Sequence, residues 1–175
     1  MAKKENLVIH MSDPSTDFLK PIYGNLPCDV VNADMPSREL NKLIKSHERV
    51  LMMGHGTSDG LLAGSHGFVI NDEIVDVLKT KEGNVFIWCH ADEFVKRNGL
   101  KGFSTGMFIS EVGEADSCGV NATQKDVDQS NDLFSKLVNM KVGFVNEKLF
   151  EHLKSAYVVP RNNVVKYNAS RLYLF

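Results

Sequence analysis

Arg49-Val50-Leu51-Met52-Met53-Gly54-His55-Gly56 is a nearly continuous apolar run that stops at a histidine set between two glycines. Runs of this length without polar alternation mark strands buried on both faces, the usual state of a parallel sheet. The glycines do not prolong it, so the strand delivers His55 at its own carboxyl end. A second run, Asn84-Val85-Phe86-Ile87-Trp88, ends in the same manner at Cys89-His90-Ala91-Asp92.

Working outward, Leu7–Met11 and Cys28–Asn32 read as earlier strands, with turn chemistry at Asp13-Pro14-Ser15-Thr16 between them. Pro36 and Ser37 open a helix with Leu40, Leu43 and Ile44 on one face. Leu61–Ala63 and Phe68–Ile70 flank Gly64-Ser65-His66-Gly67 as a small hairpin, and Asn71 caps a short helix carrying Ile74, Val75 and Leu78. A helix to Arg97, stopped by Asn98-Gly99, leads to a strand from Phe103 to Ile109. Thr123 and Asp126 form a candidate capping box for a helix to about Met140. Leu149, Phe150, Leu153 and Tyr157 give another helical face. Val164–Tyr167 and Leu172–Phe175 read as strand. Strands alternating with helices predict right-handed crossovers and a three-layer α/β/α sandwich with a mostly parallel sheet, one domain over residues 1–175. A flavodoxin-like doubly wound domain would show the same alternation.

A chain of 175 residues, 43% hydrophobic and 24% charged, is long enough to bury a core and is globular in composition. The net charge of −2 comes without a basic stripe, which argues against a nucleic-acid partner. Cys28, Cys89 and Cys118 are odd in number and far apart, which predicts free thiols in a reducing compartment. The apolar segment Leu7–Met11 is too short for a signal peptide or a membrane span. The expectation is a cytoplasmic, soluble protein with no membrane partner, its oligomeric state left open.

In an open parallel sheet, ligands bind beyond the carboxyl ends of the strands, where His55 and Cys89 stand. A thiol beside an imidazole is a nucleophile and its base, able to attack a carbonyl carbon. The unobstructed N–H of Gly56 would donate to the developing oxyanion, worth about 3 kcal/mol at the transition state. His55, His66, Cys89, His90 and Asp92 share the same rim, but no spacing matches a zinc site, so neither metal nor cofactor is expected. The Gly54–Gly60 loop lacks the lysine of a phosphate-binding loop, which weakens a phosphate or small-molecule reading. Asp59 and Asp92 either recognise a basic substrate side chain or cap local turns. Glu111–Asp116 reads as solvated surface.

An apolar block ending in His-Gly followed by an apolar block ending in Cys resembles the caspase-like superfamily of caspases, legumains, gingipains, clostripain and separases. Val50–Gly56 carries the first block and Val85–Cys89 the second, and the element order from Leu7 to Ser110 is also similar. The resemblance implies a cysteine peptidase with Cys89 as nucleophile and His55 as general acid/base. It implies an oxyanion hole from the backbone N–H groups of Gly56 and Cys89, and a peptide or protein substrate cleaved through a thioester. Trp88 stands where that family usually has a small residue, facing either away from the site or into it. The alternative is a catalytically silent caspase-like domain that binds a partner protein.

Overall fold

The computed structural model describes residues 4–11, 13–64, 67–159 and 161–175. The chain begins with β1 (Lys4–His10), a 3-10 segment (Pro14–Ile22) and β2 (Cys28–Val31), then α1 (Ser37–Lys45) and β3 (His47–Met53). Three short strands follow, β4 (Gly56–Thr57), β5 (Gly60–Leu62) and β6 (Phe68–Ile70), before α2 (Val75–Leu78). Next come β7 (Val85–Ile87), α3 (Ala91–Arg97) and β8 (Phe103–Thr105). The rest is α4 (Val112–Ser117), α5 (Gln124–Lys141), α6 (Asn146–Ala156), α7 (Asn163–Ala169) and β9 (Leu172–Leu174).

Among the described residues a six-stranded sheet has the order β2-β1-β3-β7-β8-β9. Its neighbours are parallel except β9, which closes the edge antiparallel to β8. The period of two hidden in the apolar runs sorts their side chains to opposite faces. Leu7, Ile9, Val50, Met52, Phe86 and Trp88 pack with residues of α1, α2 and α3. Val8, Leu51, Met53, Val85, Ile87 and Phe103 pack instead with the 3-10 segment, α5 and α6. Helices therefore cover both faces, which is the three-layer α/β/α arrangement. β4, β5 and β6 form a separate antiparallel sheet. The β5–β6 hairpin has the expected strands, while Ser65 and His66 of its turn lie outside the described residues.

At the amino ends of the strands, the half-buried Arg49 ties the layers together. It donates to Gly83 O at 2.6 Å, to Asn146 Oδ1 at 2.7 Å and to Val142 O. Asn71 accepts from the Glu73 N–H, and the Thr123–Asp126 box opens α5, so both caps form as the sequence predicts.

Two expectations for the second half of the chain are corrected. Val164–Tyr167 is helix, not strand. Asn162 caps it by accepting from Val165 N at 2.8 Å, and Val164, Val165 and Asn168 are buried at helical spacing. The β-branched pair reads as strand only until the cap and Asn168 are weighed with it. The strand from Phe103 stops at Thr105 instead of Ile109, with one further ladder bond from Gly106 N–H to Arg171 O before the chain leaves the sheet. Ile109 finds a side chain where a strand neighbour would be. The buried amide of Asn168 accepts from its N–H at 2.8 Å and donates to its carbonyl at 2.9 Å. The acidic stretch at 111–116 is exposed in part but forms the head of α4, with Glu111 and Glu114 as its capping box.

Candidate functional site

The strand order turns in opposite directions on either side of the β1–β3 pair, which stays in register to its carboxyl ends. The connections after these strands therefore part there, the usual place of a binding crevice. Met53 of β3 is in register with Ile87 of β7. His55 and Cys89 each lie two residues beyond that pair, in the turns that follow β3 and β7. Both line one small pocket, of about 20 Å³, together with Thr16, Phe18, Phe108 and Ser110. That volume holds about one water molecule.

Trp88 occupies the opposite face. Its indole meets Phe86 and Phe94 edge-on at 5.7 Å, and its Nε1–H donates to Thr57 O at 3.0 Å. The tryptophan thus lies beneath the turn that carries His55. A methyl group on Gly56 would come within 2.2 Å of the indole Cδ1 and 2.6 Å of Gly60 O, which is why this position lacks a side chain. Thr105 Oγ1 donates to the carbonyl of Trp88 at 2.9 Å and fixes the end of β7. His90 follows with φ of +66°, a left-handed conformation that non-glycine residues rarely adopt. The turn sends its ring outward to Glu93, 2.9 Å away.

The Cys89 side chain is half-buried, and Sγ is 3.5 Å from Phe108 O, to which it donates. Burial is the main cause that pushes its pKa up to about 11, with the Phe108 hydrogen bond working against it and Glu114 adding a smaller repulsion. The resting thiol is therefore protonated at neutral pH.

The His55 ring is 38% exposed and is held from a different direction. Its Nε2 lies 2.6 Å from Ser15 Oγ and 3.7 Å from Asp13 Oδ1. Ser15 Oγ is 2.5 Å from the same Asp13 oxygen, which also accepts from Ser15 N at 2.8 Å. These hydrogen bonds hold the Asp13 carboxyl below the usual carboxylate range. Behind them, His10 Nε2 lies 3.1 Å from Thr16 Oγ1 and its Nδ1 2.9 Å from Tyr23 OH. Burial, then Lys20, lowers the His10 pKa, so this ring is neutral and works as a brace for the 3-10 segment.

Sequence reasoning finds His55, Gly56 and Cys89 but reads Asp13 and Ser15 only as turn residues. Their position after a parallel strand was the available signal, because every such strand ends on the same side of the sheet. Asp59 accepts from Arg97 at 3.2 Å, and Asp92 sits in the first turn of α3 with Oδ1 buried and without a hydrogen-bond partner. Among the described residues no group of three His, Cys, Asp or Glu side chains is arranged to hold a metal ion, and no helix is long and apolar enough to cross a membrane.

No protein-family model matches the sequence, and no curated protein matches it. Among solved structures, the chain is similar to the RcsB response regulator of Salmonella typhimurium at 12% identity, over 95% of this chain and 98% of that one. The TM-score of that pairing is 0.34, too low to argue from.

Proposed function

We propose that the chain is a caspase-like cysteine hydrolase domain in a resting state, with Cys89 as nucleophile and His55 as general acid/base. One observation carries this reading: the turns that follow two neighbouring parallel strands bring the two residues to the lining of the same pocket. His55 removes the thiol proton and the Cys89 sulfur attacks the carbonyl carbon of a peptide bond. The carbonyl oxygen becomes an oxyanion, which the backbone N–H groups of Gly56 and Cys89 receive. Collapse of this intermediate expels the amine, which leaves with the proton from His55, and a thioester remains. Water, deprotonated by His55, then releases the acid and restores the thiol. No metal or cofactor enters the scheme.

The raised thiol pKa and the small pocket mean that substrate binding must open the contact between Cys89 and Phe108 before reaction. The same two facts favour a second reading, a silent caspase-like domain that binds a partner protein. Peptidyl acyloxymethyl ketones with varied side chains separate the two. The hydrolase reading expects covalent labelling of Cys89 that falls at least a hundredfold in His55→Ala, within the range for a lost acid–base group. Labelling by no ketone in the set, or labelling indifferent to His55, leaves the silent domain.

A further inference from the structure

We propose that Ser15 and Asp13 are positioning residues that hold neutral His55 as its Nε2–H tautomer and leave Nδ1 as the base. The catalytic consequence rests on the hydrolase reading above; the tautomer does not. The protons around Ser15 Oγ fix this tautomer by count. Ser15 Oγ has one proton and two close neighbours, Asp13 Oδ1 at 2.5 Å and His55 Nε2 at 2.6 Å. An ionised carboxylate has no proton to give. The hydroxyl proton therefore goes to Asp13, and Ser15 Oγ must accept from the ring. His55 Nε2 carries the hydrogen, and in the neutral ring Nδ1 keeps its lone pair. Nδ1 has no hydrogen-bond partner among the described residues, so nothing competes for it.

The same count argues against Ser15 as a nucleophile. A serine activated by His55 would have to point its proton at Nε2, leaving two oxygen lone pairs opposed at 2.5 Å. The segment that carries Ser15 is also held rigidly. Asp13 caps it, and Thr16 Oγ1 donates to Asp13 O at 3.1 Å. Thr16 in turn accepts from His10 at the end of β1, and Tyr23 closes the other side of that ring. Without the Ser15 acceptor, the His55 ring is free to populate either tautomer and to rotate, and the share of rings offering Nδ1 as base falls.

Long-range ¹H–¹⁵N correlation spectra of the ¹⁵N-labelled chain, taken above the ring's titration, read the tautomer directly. The wild type is expected to show His55 as the Nε2–H form. Ser15→Ala and Asp13→Asn are expected to give mixed tautomers, and Ser15→Thr, which keeps the hydroxyl, the wild-type pattern. Labelling of Cys89 by the peptidyl ketones is expected to slow at least tenfold in Ser15→Ala and to recover in Ser15→Thr. An Nδ1–H wild type, or an Nε2–H pattern unchanged in both Ser15→Ala and Asp13→Asn, overturns the proposal. The expected tautomers with labelling indifferent to His55 support the assignment while removing the hydrolase reading.

Discussion

His55 and Cys89 follow the ends of two neighbouring strands, line one pocket and meet opposite surroundings. The histidine end is polar and half-exposed, built on hydrogen bonds from a segment that begins three residues after β1. The cysteine end is apolar, packed with Phe18, Phe108 and the rest of the core beneath α5 and α6. A shared pocket therefore does not mean shared chemistry. One face of the crevice keeps its group ready to exchange protons, and the other keeps its group neutral.

The largest effect is expected where the two ends share a support. Trp88 is the last residue before Cys89 and also packs beneath the His55 turn, so Trp88→Ala removes filling from both at once. A loss of about 3–5 kcal/mol is expected in urea unfolding, the usual range for a buried tryptophan. A loss below about 1 kcal/mol would show that the two strand ends are supported separately.

A middle-sized effect tests the apolar side alone. The Cys89 pKa rises from 9.0 in its ordinary state to about 11 in the fold. Between these values the unfolded chain has released a proton that the folded chain still holds, so stability falls as pH rises. The contribution is complete below about pH 9 and is lost through about pH 11, amounting to about 2 kcal/mol. Tyr157, pushed up to about 12, adds its own loss at higher pH in every variant. The stability difference between wild type and Cys89→Ala should therefore shift by about 2 kcal/mol across this window. A difference independent of pH would mean that packing does not hold the thiol protonated.

The smallest effect concerns the turn that separates Cys89 from α3. His90→Gly relieves the left-handed backbone at +66° and gives up only an exposed contact with Glu93. A gain of roughly 0.5–1 kcal/mol is expected by thermal unfolding, the left-handed penalty less the added freedom of glycine in the unfolded chain. An unchanged or lower melting temperature would assign the ring a contact that stabilises this end.

The amino-acid sequence by itself determined the buried strands at Leu7, Val50 and Val85, the caps at Asn71 and Thr123, and the strand ends that carry His55 and Cys89. These are local signals. An apolar run, a capping side chain and a glycine break each act within a few residues. Tertiary structure decided what those ends can do. Asn168 reaches back 59 residues to complete Ile109, Ser15 reaches across 40 to hold His55, and Phe108 accepts from a thiol 19 residues before it. The helix at Asn163–Ala169 belongs with them, since its β-branched residues favour strand until their packing is known. A thiol's acidity depends on what surrounds it in space, and residues distant in the chain supply those surroundings here.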